Sequence, residues 1–281
     1  MGIFVTILFV GALLAGFLGS LTGLGGGVII VPLLTLGMGV DIKYAIGTSL
    51  VSVIATSSGA ASAYVREGIT NIKIGMFLET ATTSGAILGA AIVLLVPTNA
   101  IMILFGIVLL YSGFNSFKNR REEIIPPRKV HKESSKFVKS LQLDGYYESP
   151  TGKISYRVLN LGWGYLMMIV AGVLSGLLGI GSGAFKVIAM DTIMKLPYKV
   201  SSATSNFMIG VTASASAGVY LTRGYIDPVL SLPVVLGVLG GSLLGAKILM
   251  KSKTKKLRVV FAIVISLLAF EMIYNGIYKT M

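Results

Sequence analysis

Two glycine clusters lie 156 positions apart, and each directly precedes a short apolar run. Glycine-rich backbone at the start of a helix exposes N–H groups that converge on one point, where the helix dipole adds positive potential. Both effects attract anions, so the clusters are candidate substrate-binding elements. Glycines that only let a hairpin turn and pack closely are the alternative. The candidate residues are Gly23, Gly25, Gly26 and Gly27 in the first cluster and Gly179, Gly181, Ser182 and Gly183 in the second.

Two of the charged residues that lie within apolar runs are candidates for the site. Lys186 follows the second cluster at the position that Ile30 occupies after the first. An unpaired ammonium near the centre of a bilayer costs on the order of 3 kcal/mol, so Lys186 requires a counter-charge. A bound anion would supply it, and a protein carboxylate or backbone carbonyls are the alternative. Glu79, which matches Val235 in the second half, either carries a coupling proton or snorkels to the membrane surface.

Small polar side chains follow each cluster at matching positions, where the next helix is expected to begin. Hydroxyl and amide groups bind an oxyanion without fixing its charge. We therefore include these residues in the predicted substrate site, with helix capping or bonding between helices as the alternative. They are Thr48 and Ser49 in the first half and Thr204, Ser205 and Asn206 in the second.

Several other chemistries lack the residues that they require. The chain has no cysteine, which excludes disulfides and thiolate nucleophiles, and its single histidine, His131, falls in a polar loop. No HExxH, GxSxG or paired-carboxylate motif is present, and neither is a nucleotide-binding GxxxxGK[ST] motif. The sequence therefore predicts neither an enzyme nor a metal site.

The composition is that of a membrane protein. Of the 281 residues, 54% are hydrophobic and only 12% are charged, and the mean hydropathy is +0.85. The 35 glycines suit closely packed or broken helices in lipid. The net charge is +13, and most basic residues lie between apolar runs, where they set the orientation of the protein and contact anionic lipid. We therefore expect membrane lipid and not nucleic acid as a partner.

The two halves of the chain are related by an internal repeat. A shift of 156 positions aligns residues 16–90 with residues 172–246 without a gap, and 20 of the 75 pairs are identical. The identities include polar matches, such as Thr48 with Thr204 and Tyr64 with Tyr220, in the same register as the glycines. Duplication explains this register better than shared composition does.

Each half contains five apolar runs. In the first half they are Ile3 to Leu21, Val28 to Gly37, Ala45 to Val65, Ile74 to Val96 and Ile101 to Phe117; in the second they are Leu161 to Leu178, Ala184 to Met194, Ser201 to Thr222, Val229 to Met250 and Val259 to Tyr274. The second run of the first half covers only about 15 Å, half of a hydrocarbon core of about 30 Å. The first two runs of each half therefore predict a broken or re-entrant hairpin, followed by three transmembrane helices.

The distribution of basic residues predicts how the halves are oriented. With inverted halves, 19 of the 24 Lys and Arg residues face the cytoplasm, against 14 for parallel halves. We therefore predict an all-α polytopic protein with two inverted repeats and both termini outside. The first membrane repeat is 1–117, a basic cytoplasmic loop is 118–157, and the second membrane repeat is 158–281. Within the loop, Tyr146 to Tyr156 is suited to a small hairpin, although charged loops are usually solvated tethers.

At these residues the chain resembles the sulfite exporter TauE/SafE family. Members carry a Gly-x-Gly-Gly-Gly cluster, an apolar run with a proline, here Pro32, and a Gly-Thr-Ser before the next helix. The second copy departs from this pattern at Ser182 and Ile188. The resemblance implies a multi-pass cell-membrane exporter of sulfite or a small organosulfonate, without a cofactor.

The sequence thus predicts a secondary transporter of a small anion that works by alternating access, with proton coupling through Glu79 as an option. A passive anion channel, or a carrier of another small solute, is the alternative. The expected partners are the anionic substrate and membrane lipid, and self-association into a homo-oligomer is left open.

Overall fold

The computed structural model describes residues 2–22, 25–66, 68–118, 136–149, 152–251 and 255–278. These residues form α-helices and one antiparallel pair of short strands. In chain order the elements are α1 Gly2–Thr22, α2 Gly27–Met38, α3 Ile42–Arg66, α4 Ile72–Ile92, α5 Thr98–Lys118, α6 Lys136–Ser140, β1 Gly145–Ser149, β2 Gly152–Tyr156, α7 Leu161–Leu178, α8 Gly183–Ile188, α9 Tyr198–Thr222, α10 Pro228–Lys251 and α11 Lys255–Tyr278.

Each predicted apolar run forms a helix at nearly the expected bounds. Within the described residues, four helical segments are long and apolar enough to cross a membrane, and three shorter helices are also apolar. The four segments are Ile42–Arg66, Leu161–Leu178, Pro228–Gly245 and Val259–Tyr278. This architecture is consistent with the predicted all-α membrane protein.

The glycine clusters break the chain between a long helix and a short one. The backbone has positive φ at Gly25 in the first cluster and at Gly179 and Gly181 in the second, a conformation that glycine adopts without steric cost. The helices that follow, α2 with 12 residues and α8 with 6, span about 18 Å and 9 Å. Each is shorter than a bilayer core of about 30 Å.

The second half continues differently from the first after its break. Helix α2 runs as regular α-helix through Pro32 to Met38, whereas α8 passes at Ile188 into a π-helical turn, Ala189–Ile193. A π turn widens the helix and often marks a functional segment. The segments after the two glycine clusters therefore differ in backbone structure, although their sequences align without a gap.

Two helices of each half pack in parallel against helices of the other half. Helix α1 packs parallel to α10, and helix α4 packs parallel to α7. Glycines lie at both of these contacts between the halves, which we call seams. A Cβ atom at Gly241 would overlap the carbonyl oxygen of Leu13 in α1, and one at Gly172 would overlap that of Thr82 in α4. Small residues let the two backbones touch, which is how helices associate in lipid. The repeated glycines therefore form two equivalent seams between the halves.

The remaining long helices pack against their own repeat counterparts. Helix α5 runs antiparallel to α11, because Gly106 lies against Ala269 and Gly113 lies against Ala262. Helix α3 likewise crosses α9 in the antiparallel sense. A buried apolar cluster fills the space between these helices.

The described part of the central loop packs against one end of the helix bundle. Strands β1 and β2 form the predicted hairpin, in which Tyr147 pairs with Ile154. Val138, Leu143 and Val158 are buried against residues of α4, α7 and the segment after α8. These residues are therefore not a solvated tether, because their apolar side chains are removed from water.

Asn71 joins this packed segment to the membrane helices. Its side chain caps α4 by accepting a hydrogen bond from Ile74 N at 3.1 Å, and its Nδ2 donates to Leu143 O at 2.9 Å and to the Tyr156 hydroxyl at 3.0 Å. Burial raises the pKa of Tyr156, so its hydroxyl stays neutral. One asparagine thus links the start of α4 to both sides of the hairpin.

Candidate substrate and coupling site

The two glycine tips, residues 25–27 and 179–183, meet between the halves. A Cβ atom at Gly27 would lie 2.7 Å from the carbonyl oxygen of Gly179 and 2.5 Å from Ser49 Oγ. Val53, halfway along α3, lies within ordinary contact of the position of Gly25 and close to that of Gly181. The tips therefore converge at the middle of α3. Gly23, the remaining glycine of the first predicted cluster, lies outside the described residues.

Two of the predicted serines form hydrogen bonds to the second tip. Ser49 Oγ donates to Gly179 O of the opposite half at 2.7 Å, and Ser205 Oγ donates to Gly183 O at 3.2 Å. Both side chains are fully buried. The two bonds thus tie carbonyl groups of the second tip to α3 and α9. For these two residues, the structure gives the bonding role that the sequence left as the alternative.

The neighbouring polar residues differ in how their groups are used. Thr204 Oγ1 accepts a hydrogen bond from Asn71 N at 3.1 Å, and Asn206 Nδ2 donates to Ser202 O at 3.1 Å. Among the described residues, Thr48 Oγ1 and Ser182 Oγ are buried without a hydrogen-bond partner. Thr48 and Thr204 are each the seventh residue of their helix, further inside than the predicted start.

Lys186 is fully buried in α8 and contacts a carboxylate of the other half. Its Nζ donates to Thr212 Oγ1 at 2.5 Å and lies 3.9 Å from Glu79 Oε2. Thr212 in turn donates to Glu79 Oε1 at 2.5 Å. A protein carboxylate is thus the counter-charge of Lys186 in this structure, which was the alternative to a bound anion.

Glu79 does not reach the surface, because it is only 5% exposed and points at the second half. Thr83, one turn along α4, donates to its Oε1 at 3.1 Å. The other carboxylate oxygen, Oε2, accepts no hydrogen bond from any described residue and faces Lys186. The snorkelling alternative therefore does not apply, and the carboxylate keeps unused acceptor capacity.

The repeat counterparts of the charged cluster carry no charge. The repeat positions of Lys186 and Glu79 are Ile30, which is fully buried, and Val235. The repeat position of Thr212 is Thr56, whose hydroxyl bonds to Ser52 O in its own helix. The repeat positions of Lys186, Glu79 and Thr212 therefore do not form a second charged site.

Thr212 is the site residue that the sequence analysis missed. It is identical to Thr56 in the aligned repeat, so the alignment carried its position but gave no reason to single it out. The nearest side chains to Gly25 and Gly181 are those of Val53 and Ile209, which are apolar. In the described part of the chain, no group of three or more metal-ligating side chains could hold a metal ion.

The fold and this buried charged site are those of a multi-pass α-helical membrane protein. The chain belongs to the sulfite exporter TauE/SafE family, which it matches over residues 8–272. It is 31% identical to the probable membrane transporter protein YunE of Bacillus subtilis, with 97% of this chain and 98% of the relative covered. The family is one of membrane transporters and not of enzymes.

Two further relatives have the same general description. The probable membrane transporter protein YdhB of Bacillus subtilis is 29% identical over 86% of this chain and 88% of its own length. A probable membrane transporter protein of Methanocaldococcus jannaschii is 27% identical over 95% of this chain and 94% of its own length. No solved structure matches the chain.

Proposed function

We propose that this transporter carries a small anion, such as sulfite or an organosulfonate, by alternating access, and that Glu79 carries a coupling proton. The single observation that carries the proposal is the fully buried Lys186 held against Glu79 across the two halves. Ionisable residues inside a membrane are costly and usually serve the transport path. The sulfur oxyanion follows from the family, whereas the relatives are named only as probable membrane transporters.

The charges suggest how anion and proton are linked. With Glu79 ionised, Lys186 has a counter-charge and gains little from an added anion. With Glu79 protonated, the ammonium is unpaired in a dry site, and a monovalent anion restores neutrality. The unpartnered hydroxyl of Ser182, one turn before Lys186, is a further donor for such an anion. Anion and proton therefore bind together.

Alternating access requires two parts that move around one site, and we propose that the halves are inverted repeats. The antiparallel packing of α5 with α11 and of α3 with α9 supports this, because a twofold axis across the helices makes each helix antiparallel to its own counterpart. The tips at the middle of α3 fit a substrate site near the bilayer midplane. Protease access to tags on intact cells tests the orientation; a cytoplasmic tag at either terminus contradicts it.

The main test is sulfite flux into liposomes that contain the purified protein. Lys186→Met removes the ammonium, and we expect flux at the background of empty liposomes. Lys199→Met, which removes an exposed lysine near the start of α9, serves as the matched control with unchanged flux. Because Lys186→Met leaves Glu79 without its counter-charge, the double variant Lys186→Met/Glu79→Gln tests the same point with neither charge present.

The outcomes separate the candidates. Unchanged flux in folded Lys186→Met contradicts the role of this lysine. Saturation and counterflow support a carrier, whereas non-saturating flux without counterflow identifies a passive channel. A thermal-shift screen with sulfite, sulfate, sulfoacetate, thiosulfate and carboxylates identifies the ligand, because a ligand that binds the native state raises its melting temperature.

A further inference from the structure

Thr212 lies between the two buried charges. Its hydroxyl contacts both Lys186 Nζ and Glu79 Oε1 at 2.5 Å, whereas Nζ and Glu79 Oε2 are 3.9 Å apart. We propose that Thr212 is a positioning residue whose hydroxyl changes its acceptor when Glu79 changes its charge. This inference rests on the proposed function, in which Glu79 takes up a proton as the anion binds.

In the first state Glu79 is ionised, and the donor and acceptor capacity of the Thr212 hydroxyl explains its contacts. A threonine hydroxyl has one hydrogen to donate and two lone pairs that accept. While Glu79 is ionised, the carboxylate takes that hydrogen and the ammonium of Lys186 occupies a lone pair. The carbonyl oxygen of Met208, one turn earlier in α9, lies 3.0 Å away as an alternative acceptor. The hydroxyl can donate to only one of these acceptors at a time.

In the second state Glu79 is protonated, and the hydrogen bond between Thr212 and Glu79 reverses its direction. A proton from water on the open side adds to a carboxylate oxygen of Glu79, and the new carboxyl group becomes a donor. Thr212 Oγ1 accepts from it, and the hydroxyl hydrogen turns to Met208 O. Lys186 keeps this oxygen as a hydrogen-bond partner but loses its counter-charge. Thr212 therefore keeps a hydrogen bond to Lys186 Nζ and one to the carboxyl group of Glu79 in both states, which a valine does in neither.

Among the described residues, the charged group that faces Glu79 is Lys186. Helix α7, which packs against α4, contributes Tyr165, whose hydroxyl contacts Thr80 on the exposed face of α4. Helix α9 contributes Tyr220, whose hydroxyl donates to Gly176 O. Neither tyrosine contacts the carboxylate, so the pair and its bridging hydroxyl account for the expected pH dependence.

The internal repeat supplies a matched control. Thr56 occupies the position of Thr212 in α3, is also buried, and bonds only to Ser52 O four residues earlier among the described residues. Substituting either threonine by valine removes one buried hydroxyl from an equivalent helix. Only Thr212→Val removes a hydroxyl that bridges two charges.

The first test follows methanesulfonate binding to the purified protein as a function of pH. The charge of this sulfonate is constant over the range in which a carboxylate titrates, so any pH dependence belongs to the protein. Uptake of one proton with each anion strengthens apparent affinity by up to about tenfold for each unit by which pH falls. We expect this dependence in the wild type and in Thr56→Val. In Thr212→Val we expect affinity at least about tenfold weaker at low pH and a flattened dependence, with recovery in Thr212→Ser.

A second test does not depend on any ligand. Infrared difference spectra between high and low pH report the C=O stretch of a protonated carboxyl group. Glu79→Gln should remove the band of Glu79, Thr212→Val should shift it, and Thr212→Ser should leave it in place. A band at the wild-type frequency in Thr212→Val overturns the role of Thr212, as does equal behaviour of the Thr212→Val and Thr56→Val variants. Failure of the wild type to bind or transport any tested anion would instead overturn the proposed function.

Discussion

The glycine seam between α1 and α10 predicts a sharp difference between two neighbouring substitutions. In Gly241→Ala the added methyl group would lie 2.8 Å from Phe17 N and would overlap Leu13 O, whereas a Cβ atom at Gly240 meets nothing within 4 Å. Ordinary van der Waals contact begins at 3.4 Å, and the obstacle is backbone that cannot rotate away. The two helices must therefore separate by roughly 1 Å.

The expected destabilisation follows from that separation. Forcing an extra carbon into a packed interface costs typically about 1–3 kcal/mol, and a seam of backbone contacts lies at the upper end. Gly240→Ala instead replaces a glycine inside a helix and should stabilise the protein by up to about 1 kcal/mol. The assay is the melting temperature of both variants in detergent, at matched protein concentration. Equal melting temperatures would refute the close approach of α1 and α10.

Two further predictions concern polar contacts. Ser49→Ala removes the bond to Gly179 O between the halves and should destabilise the protein by about 1–3 kcal/mol, measured as a lower melting temperature. The control is Ser58→Ala, which removes an exposed hydroxyl that bonds within its own helix and should have little effect on the melting temperature. Asn71→Ala removes the cap of α4 and the bond to Leu143 O. Hydrogen exchange in β1 and β2 should therefore accelerate, while exchange in α5 stays unchanged. If β1 and β2 exchange at the same rate in the variant as in the wild type, this link is contradicted.

Much of the fold was predictable from the sequence, because lipid imposes simple patterns. Apolar runs separated by polar residues gave the helices, and Leu161 to Leu178 coincides with α7 at both ends. The glycine clusters gave the breaks, because the runs that follow were too short to cross a bilayer. The hairpin around Gly152 followed from local turn residues. In each case the information lies within a short stretch of chain.

The charged site was only partly predictable, because its contacts join distant parts of the chain. Lys186 and Glu79 were each singled out as charged residues within apolar runs, but a repeat alignment compares the halves without showing how they dock. It therefore could not show that the two charges face each other. The burial of Val138 and Leu143 was missed for a related reason. A few apolar residues in a basic loop give no local signal of burial, because the helices that cover them are distant in the sequence.

The seams between the halves also bear on how the chain arose. Each long helix that the structure describes packs against a helix of the other half, and two separate half-length chains could close the same seams as a twofold dimer. In such a dimer of identical chains, a buried lysine and its carboxylate would occur twice or not at all. Joining the halves into one polypeptide removes that constraint, and this chain has Lys186 and Glu79 in one half each, with Ile30 and Val235 at their repeat positions.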